Sequence, residues 1–323
     1  MRSVKYPEGF REKNVPVNRK FLFTLRKQWF LQVSILFGLG LLIVFSYIPM
    51  YGIIIAFKSY KVSSGIAGFF TSRWVGLKWF KEFLTDYRFG LIFRNTLVIS
   101  ALKIFISFPV PIIFALMLNE MRQPLVKRFV QTASYLPHFI SWVIVVGLCQ
   151  TFFGTVNGLL SNLMVEWGLV DKPIPLLTDP RYYWPLAVLT EVWKSAGWNA
   201  IIYIAAISGI DAALYEAAQI DGTSRLQRMW YITLPGIKGV IVIMFILSLG
   251  GLINGNLEQA KLLSNNFNRS TSEIINLYVL NVGLGDFRFD YAAAVGLMQS
   301  VISAVLVFSS NWFSRRFVGA SIY

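Results

Sequence analysis

Six long apolar runs, separated by polar or mixed segments, dominate the 323-residue chain. They cover residues 29–57, 91–118, 135–153, 184–208, 234–254 and 291–313. A helix of about 20 apolar residues is enough to cross a bilayer. The pattern therefore predicts an all-α fold, a polytopic membrane helical bundle with six transmembrane helices. Pro49, Pro109, Pro111 and Pro185 fall within or near these runs, where neighbouring helices can satisfy the freed carbonyls. The first span and its outer segment, 29–90, read as an accessory unit beside a five-span core over 91–313.

The polar stretch between the fourth and fifth runs has a pattern of its own. Ala217 and Ala218 favour a slim helix. Gly222 can take a positive φ and end it, and Thr223 or Ser224 can cap a second helix. Leu226, Met229, Trp230 and Ile232 give that second helix an apolar face, and Pro235 breaks it where the fifth span begins. The expectation is two short helices at an angle, forming a rigid knob over 211–235.

Composition agrees with a membrane protein: 55% of residues are hydrophobic and only 14% charged, against roughly 25% charged in soluble domains. The net charge of +14 is distributed as a topology signal rather than as a nucleic-acid groove. Arg2, Lys5, Arg11, Lys13, Arg19, Lys20, Arg26 and Lys27 precede the first run, which is too long for a signal-peptide core. An even number of spans puts both termini on one side, here the cytoplasmic one. The inside segments are then the basic tail 1–28, the loops 119–134 and 209–233, and the tail 314–323, with Arg122, Lys127, Arg128, Arg315 and Arg316. The outer segments 58–90, 154–183 and 255–290 hold Trp74, Trp79, Trp167, Tyr182 and Tyr183, with Trp184 at the adjoining edge of the fourth run; these fit an interfacial aromatic belt.

Several chemistries have too few residues. Cys149 is the only cysteine and His138 the only histidine, so neither an intrachain disulfide nor a multi-histidine metal site can form. Asn268-Arg-Ser matches a glycosylation sequon, a triplet common by chance. No Ser/His/Asp set, His/Glu metal spacing or pair of mid-membrane aspartates suggests an intramembrane enzyme, and no Gly-x-x-x-x-Gly-Lys-Ser/Thr phosphate loop is present. A self-contained secondary carrier would need more spans or a repeat.

Charges inside the spans are the remaining candidates. Glu191 and Lys194 lie three residues apart on one face of the fourth span, where each unpaired charge costs on the order of 2.5–3.5 kcal/mol on insertion scales. They can pair with each other, facing the protein interior. Trp193, Trp198 and Asn199 share the neighbourhood, and aromatic rings with amides and carboxylates suit sugars. The set reads as a substrate path, or equally as a structural ion pair or a contact with a second subunit. Lys103 can snorkel from the second span. Asn254, Asn256, Glu258 and Gln259 can line an outer mouth, and His138 reads as a helix-start or interface residue.

Glu216-Ala-Ala, Asp221-Gly222 and Ile232-Thr-Leu234-Pro235, at this spacing between the fourth and fifth of six spans, resemble the EAA loop of permease subunits in binding-protein-dependent ABC importers. Ser134–Trp142, Glu191–Ala200 and Tyr291–Ser300 resemble the sugar branch of that superfamily, and in particular permeases for oligosaccharides of the alginate-type and lipoprotein-linked polysaccharide systems. The likeness extends roughly from Tyr47 to Arg316. It implies a type I importer core of MetI-like fold in the bacterial plasma or inner membrane. It further implies a second permease subunit, an ABC ATPase dimer on the cytoplasmic side, and an extracellular or periplasmic solute-binding protein. The chain itself would bind no cofactor; ATP and Mg would sit on the ATPases. Glu216, Ala217, Ala218, Asp221, Gly222, Leu234 and Pro235 would couple to them. A non-sugar solute such as a peptide, phosphate or an amino acid is the alternative cargo.

Overall fold

Apolar segments in hydrocarbon must satisfy their own backbone, which favours helices. Among the described residues the only extended pairing is an isolated bridge between Lys58 and Trp74. The computed structural model describes residues 28–154, 158–253 and 255–317. Most of the basic tail, Asn254 and the last residues of the 314–323 tail lie outside them.

Trp29–Phe57, Phe89–Asn119 and Phe289–Arg316 are each long and apolar enough to cross a membrane without a sharp bend. The other three spans are bent pairs: Pro124–Phe139 with Trp142–Phe153, Pro180–Ser208 with Ala212–Ile220, and Arg225–Gly236 with Lys238–Leu252. With each pair taken as one span the total is six.

Two of the bends correct expectations. The run 135–153 is not one straight helix. A 3-10 turn at Leu136–Phe139 ends the first half, and the chain turns by 101°. Ser141 then adopts extended backbone, and its hydroxyl accepts from the amide of Ile144 to restart the helix. The long apolar helix of the fifth span begins at Lys238 rather than at residue 234, because Ile237 leaves helical geometry and the axis turns by 64°.

Three of the prolines share a local device. Ile48, Phe108 and Leu234 each precede a proline, and each donates its amide five residues back, to Ile43, Lys103 and Met229. A proline ring clashes with the carbonyl four residues before it, and a single π turn is the usual one-turn widening inside a helix. The chain thus absorbs Pro49, Pro109 and Pro235 within the helices themselves rather than through neighbouring helices.

The chain forms two compact units. The first ends at Ile54, and its described helical part buries no residue. The second begins at Ile55 and contains three buried apolar clusters. One joins Trp79, Phe83, Ile92, Tyr278, Tyr291 and Val295, so Trp79 and Phe83 of the outer segment pack in the same core as the second and sixth spans. Another joins Ile99, Val146, Cys149, Leu186 and Leu277. The third joins Ile112, Leu116, Tyr203, Ile207 and Ile237 and lies nearest the 211–236 loop.

Candidate functional site

The loop between the fourth and fifth spans is built almost entirely from bonds within itself. The Asp211 carboxylate caps the helix Ala212–Ile220 by accepting from the amide of Ala213 at 3.0 Å. Gly222 stands at φ 71°, the left-handed region that costs an L-residue roughly 1–2 kcal/mol. The Thr223 hydroxyl donates back to the Ala218 carbonyl at 2.6 Å. Ser224, rather than Thr223, caps the next helix. Its hydroxyl accepts from the amide of Gln227, and the Gln227 side chain accepts from the Ser224 amide at 2.7 Å, a full capping box. The two halves are tied by Tyr215 and Thr233, whose hydroxyls lie 2.9 Å apart, with Thr233 fully buried.

Glu216, Ala217, Asp221, Gly222 and Pro235 stay exposed. Ala218 is buried at the fold of the loop, and Leu234 is half-buried. Ile220, Leu226, Trp230 and Tyr231 also point outward, with 65–86% of their surface free. The knob is thus internally braced while it presents large apolar side chains outward.

The intramembrane charges are partnered differently from the expected pair. Glu191 does not bond Lys194. Its carboxylate lies 3.6 Å from the Lys103 ammonium and accepts from the Asn256 amide at 3.3 Å. Lys103 therefore does not snorkel outward; it turns inward from the second span. Asn256 also caps the helix Leu257–Leu263 through the Gln259 amide, and the Gln259 side chain donates to the Ala187 carbonyl and the Thr190 hydroxyl. Glu258 points away and is exposed.

Lys194 instead fills the break in the third span. Its ammonium donates to the carbonyl of His138 at 2.7 Å, and to those of Pro137 and Ile140, while the Trp142 ring centroid lies 5.7 Å away. Trp198 stacks on His138, ring centroids 4.6 Å apart and planes 2° from parallel. Trp193 faces a separate, mainly apolar pocket of about 360 Å³ with Val145, Cys149 and Phe152. Asn199 is exposed.

At the end of the bundle opposite the knob, Tyr278 donates to Asp86 at 3.1 Å and lies 3.0 Å from the Tyr291 hydroxyl. Burial by itself pushes the Asp86 carboxyl up, but the Arg88 amide at 2.8 Å, the Tyr278 hydroxyl and the Arg88 charge outweigh it and hold the group below its ordinary value.

Residues 107–319 match the family described as "Binding-protein-dependent transport system inner membrane component". The chain belongs to that family. It is 43% identical over 305 residues to the "Polygalacturonan/rhamnogalacturonan transport system permease protein YteP" of Bacillus subtilis, covering 94% of each chain. It is 38% identical to "Protein LplB" of the same organism, covering 92% of each. Among solved structures it resembles a chain of a bacterial alginate ABC transporter in complex with an alginate pentasaccharide-bound periplasmic protein. The TM-score is 0.84 at 34% identity, over 93% of this chain and 98% of that one.

The expected sugar-path residues of this permease thus separate into three neighbourhoods: Glu191 with Asn256, Lys194 with Trp198, and Trp193 alone; Asn254 lies outside the described residues. Sequence reasoning missed Lys103 as the partner of Glu191 and the Pro137–Ile140 carbonyls as the partners of Lys194. Lys103 carried a signal, since it is the one other charge deep within an apolar run on the same side of the loop. The carbonyls carried none, because backbone atoms do not show in a pattern of residue types.

Proposed function

We propose that this permease subunit imports an oligosaccharide or polysaccharide fragment by alternating access, driven by ATPase subunits that dock on the 211–235 knob. The observation that carries the reading is the knob itself: a helix–glycine–helix element, capped on both halves and braced by Tyr215 and Thr233, with exposed Glu216, Asp221 and a group of outward apolar side chains. A rigid knob joined to the fourth span by a short 75° bend passes displacement into the membrane; a flexible loop would absorb it. Glu216, Ala217, Ala218, Asp221, Gly222, Leu234 and Pro235 form the docking element in this reading. The knob faces the cytoplasm, with both termini on that side. A second permease subunit completes the path, and ATP and Mg are held by the ATPases.

The sugar assignment draws on what the relatives transport by name, namely polygalacturonan or rhamnogalacturonan fragments, and on the alginate-bound periplasmic protein of the similar transporter. Glu191 with Asn256, Trp193 and Trp198 stand in separate neighbourhoods, and each offers a sugar ring either polar groups or an aromatic face. The test is uptake by proteoliposomes holding this chain with its partner permease, ATPases and solute-binding protein. Labelled oligosaccharide should accumulate only when ATP and the binding protein are both supplied. Uptake independent of ATP, or accumulation of peptides but not of sugars, would overturn the reading.

A further inference from the structure

We infer that Lys194 is a positioning residue of the transport cycle, making the break in the third span move together with the fourth span. The inference rests on the reading that the 211–235 knob drives the permease. Where the third span breaks, the turn at Leu136–Phe139 ends a helical segment: the Ile140 amide reaches the Pro137 carbonyl, but no following turn supplies donors for the carbonyls of His138 and Ile140. In hydrocarbon they need one from elsewhere. An ammonium offers three donors and no acceptor, and Lys194, 8% exposed, directs them at the carbonyls of Pro137, His138 and Ile140. Its positive charge also meets the negative end of the helical dipole.

Two further contacts fall within one helical turn of it. A Cβ on Gly197 would stand 2.2 Å from the Ser134 carbonyl oxygen, so the two backbones touch directly. The Trp198 ring lies flat on His138. Beyond this turn the fourth span continues as helix to Ser208, and the Asp211 cap opens the knob three residues later, across a 75° bend. Displacement of the knob is therefore delivered to the break, and through it to the half of the third span that carries the Trp193 pocket.

The test uses the complete reconstituted transporter and reads uptake and binding-protein-stimulated ATP hydrolysis in the same proteoliposomes. For Lys194→Met, uptake should fall by about tenfold or more while stimulated hydrolysis stays within about twofold, because the knob and fourth span remain intact. Lys194→Arg, which keeps a charged donor, should restore most of the uptake. The proposal is overturned if Lys194→Met leaves the ratio of ATP used to solute moved unchanged. That includes the case in which uptake and hydrolysis fall in parallel through misassembly. It is also overturned if Lys194→Arg behaves like Lys194→Met. A wild-type complex whose hydrolysis ignores the binding protein sinks the functional reading, a result read from the wild type alone, and takes the Lys194 proposal with it.

Discussion

The 211–236 knob and the charge-bearing turn of the fourth span are held together in opposite ways. The knob draws its hydrogen bonds from within itself: the Asp211 cap, the Ser224–Gln227 box, the Thr223 bond to Ala218 and the Tyr215–Thr233 tie. The fourth span draws on distant chain: Glu191 on Lys103 and Asn256, and Lys194 on carbonyls more than fifty positions earlier. In the proposed cycle the first region is a module that keeps its shape while it moves. The second is a junction that keeps separate helices moving together. A machine that turns a push at one face into motion across a bilayer needs both.

The largest effect should come from breaking the module without touching the junction. Gly222→Pro forces a φ near −65° where the chain needs 71° and removes an amide that donates to Gln219. Glu216→Lys reverses an exposed charge on the knob surface. Each should cut ATP-driven uptake by at least about 100-fold, equal to about 2.7 kcal/mol of coupling, with the protein still in the membrane. Uptake within a few-fold of wild type in both would mean that the knob does not couple.

The junction should respond as a pair. Lys103→Met alone leaves Glu191 in the membrane without its counter-charge, and should lower stability in lipid nanodiscs by about 1–3 kcal/mol; the pair is partly exposed, so the full cost of a buried charge does not apply. Adding Glu191→Gln should recover more than half of that loss. Additive losses from Lys103→Met and Glu191→Gln would show that the two do not interact.

Smaller effects sharpen the contrast. Tyr215→Phe removes one hydroxyl from the tie across the knob and should cost about 1 kcal/mol by thermal unfolding, with uptake reduced less than by Gly222→Pro. At the opposite end, Asp86 has its pKa depressed in the folded protein. Its contribution is therefore present above the ordinary carboxylate pKa and is lost as pH falls through the lower folded value. The loss should be under about 1 kcal/mol because the group is near solvent, and Asp86→Asn should abolish that part of the acid sensitivity. An unchanged acid profile in Asp86→Asn would remove the Tyr278–Asp86 bond from the account.

What the sequence reveals divides along the same line. The knob is legible from Ala217, Gly222 and Ser224 because helix propensity, left-handed backbone and capping act within a few residues, whereas the break expected at Pro235 falls at Ile237. The span number is legible because hydrocarbon demands long apolar helices. The 101° break at Pro137–Ser141 is not, since an apolar run reads the same whether straight or folded. Nor is the pairing of Lys103 with Glu191, which depends on how the second and fourth spans face each other. Helical spacing put Lys194 on the same face as Glu191, yet the tertiary carbonyl acceptors of Pro137, His138 and Ile140 take its ammonium instead of the local carboxylate. Sequence analysis located the charged residues correctly and missed the partners that only packing supplies.

The central claim is that the knob end of this permease meets the ATPases while the far end does not. Site-directed cross-linking tests it most directly, with Cys149 first replaced by Ser so that no native thiol competes. In membranes holding the assembled transporter, a cysteine at exposed Ala217 should form a cross-linked product with the ATPase, changing in yield when ATP is added. A cysteine at exposed Phe287, at the opposite end of the bundle, should form none. An ATPase cross-link at residue 287, or none at residue 217 in a complex that transports normally, would contradict the account.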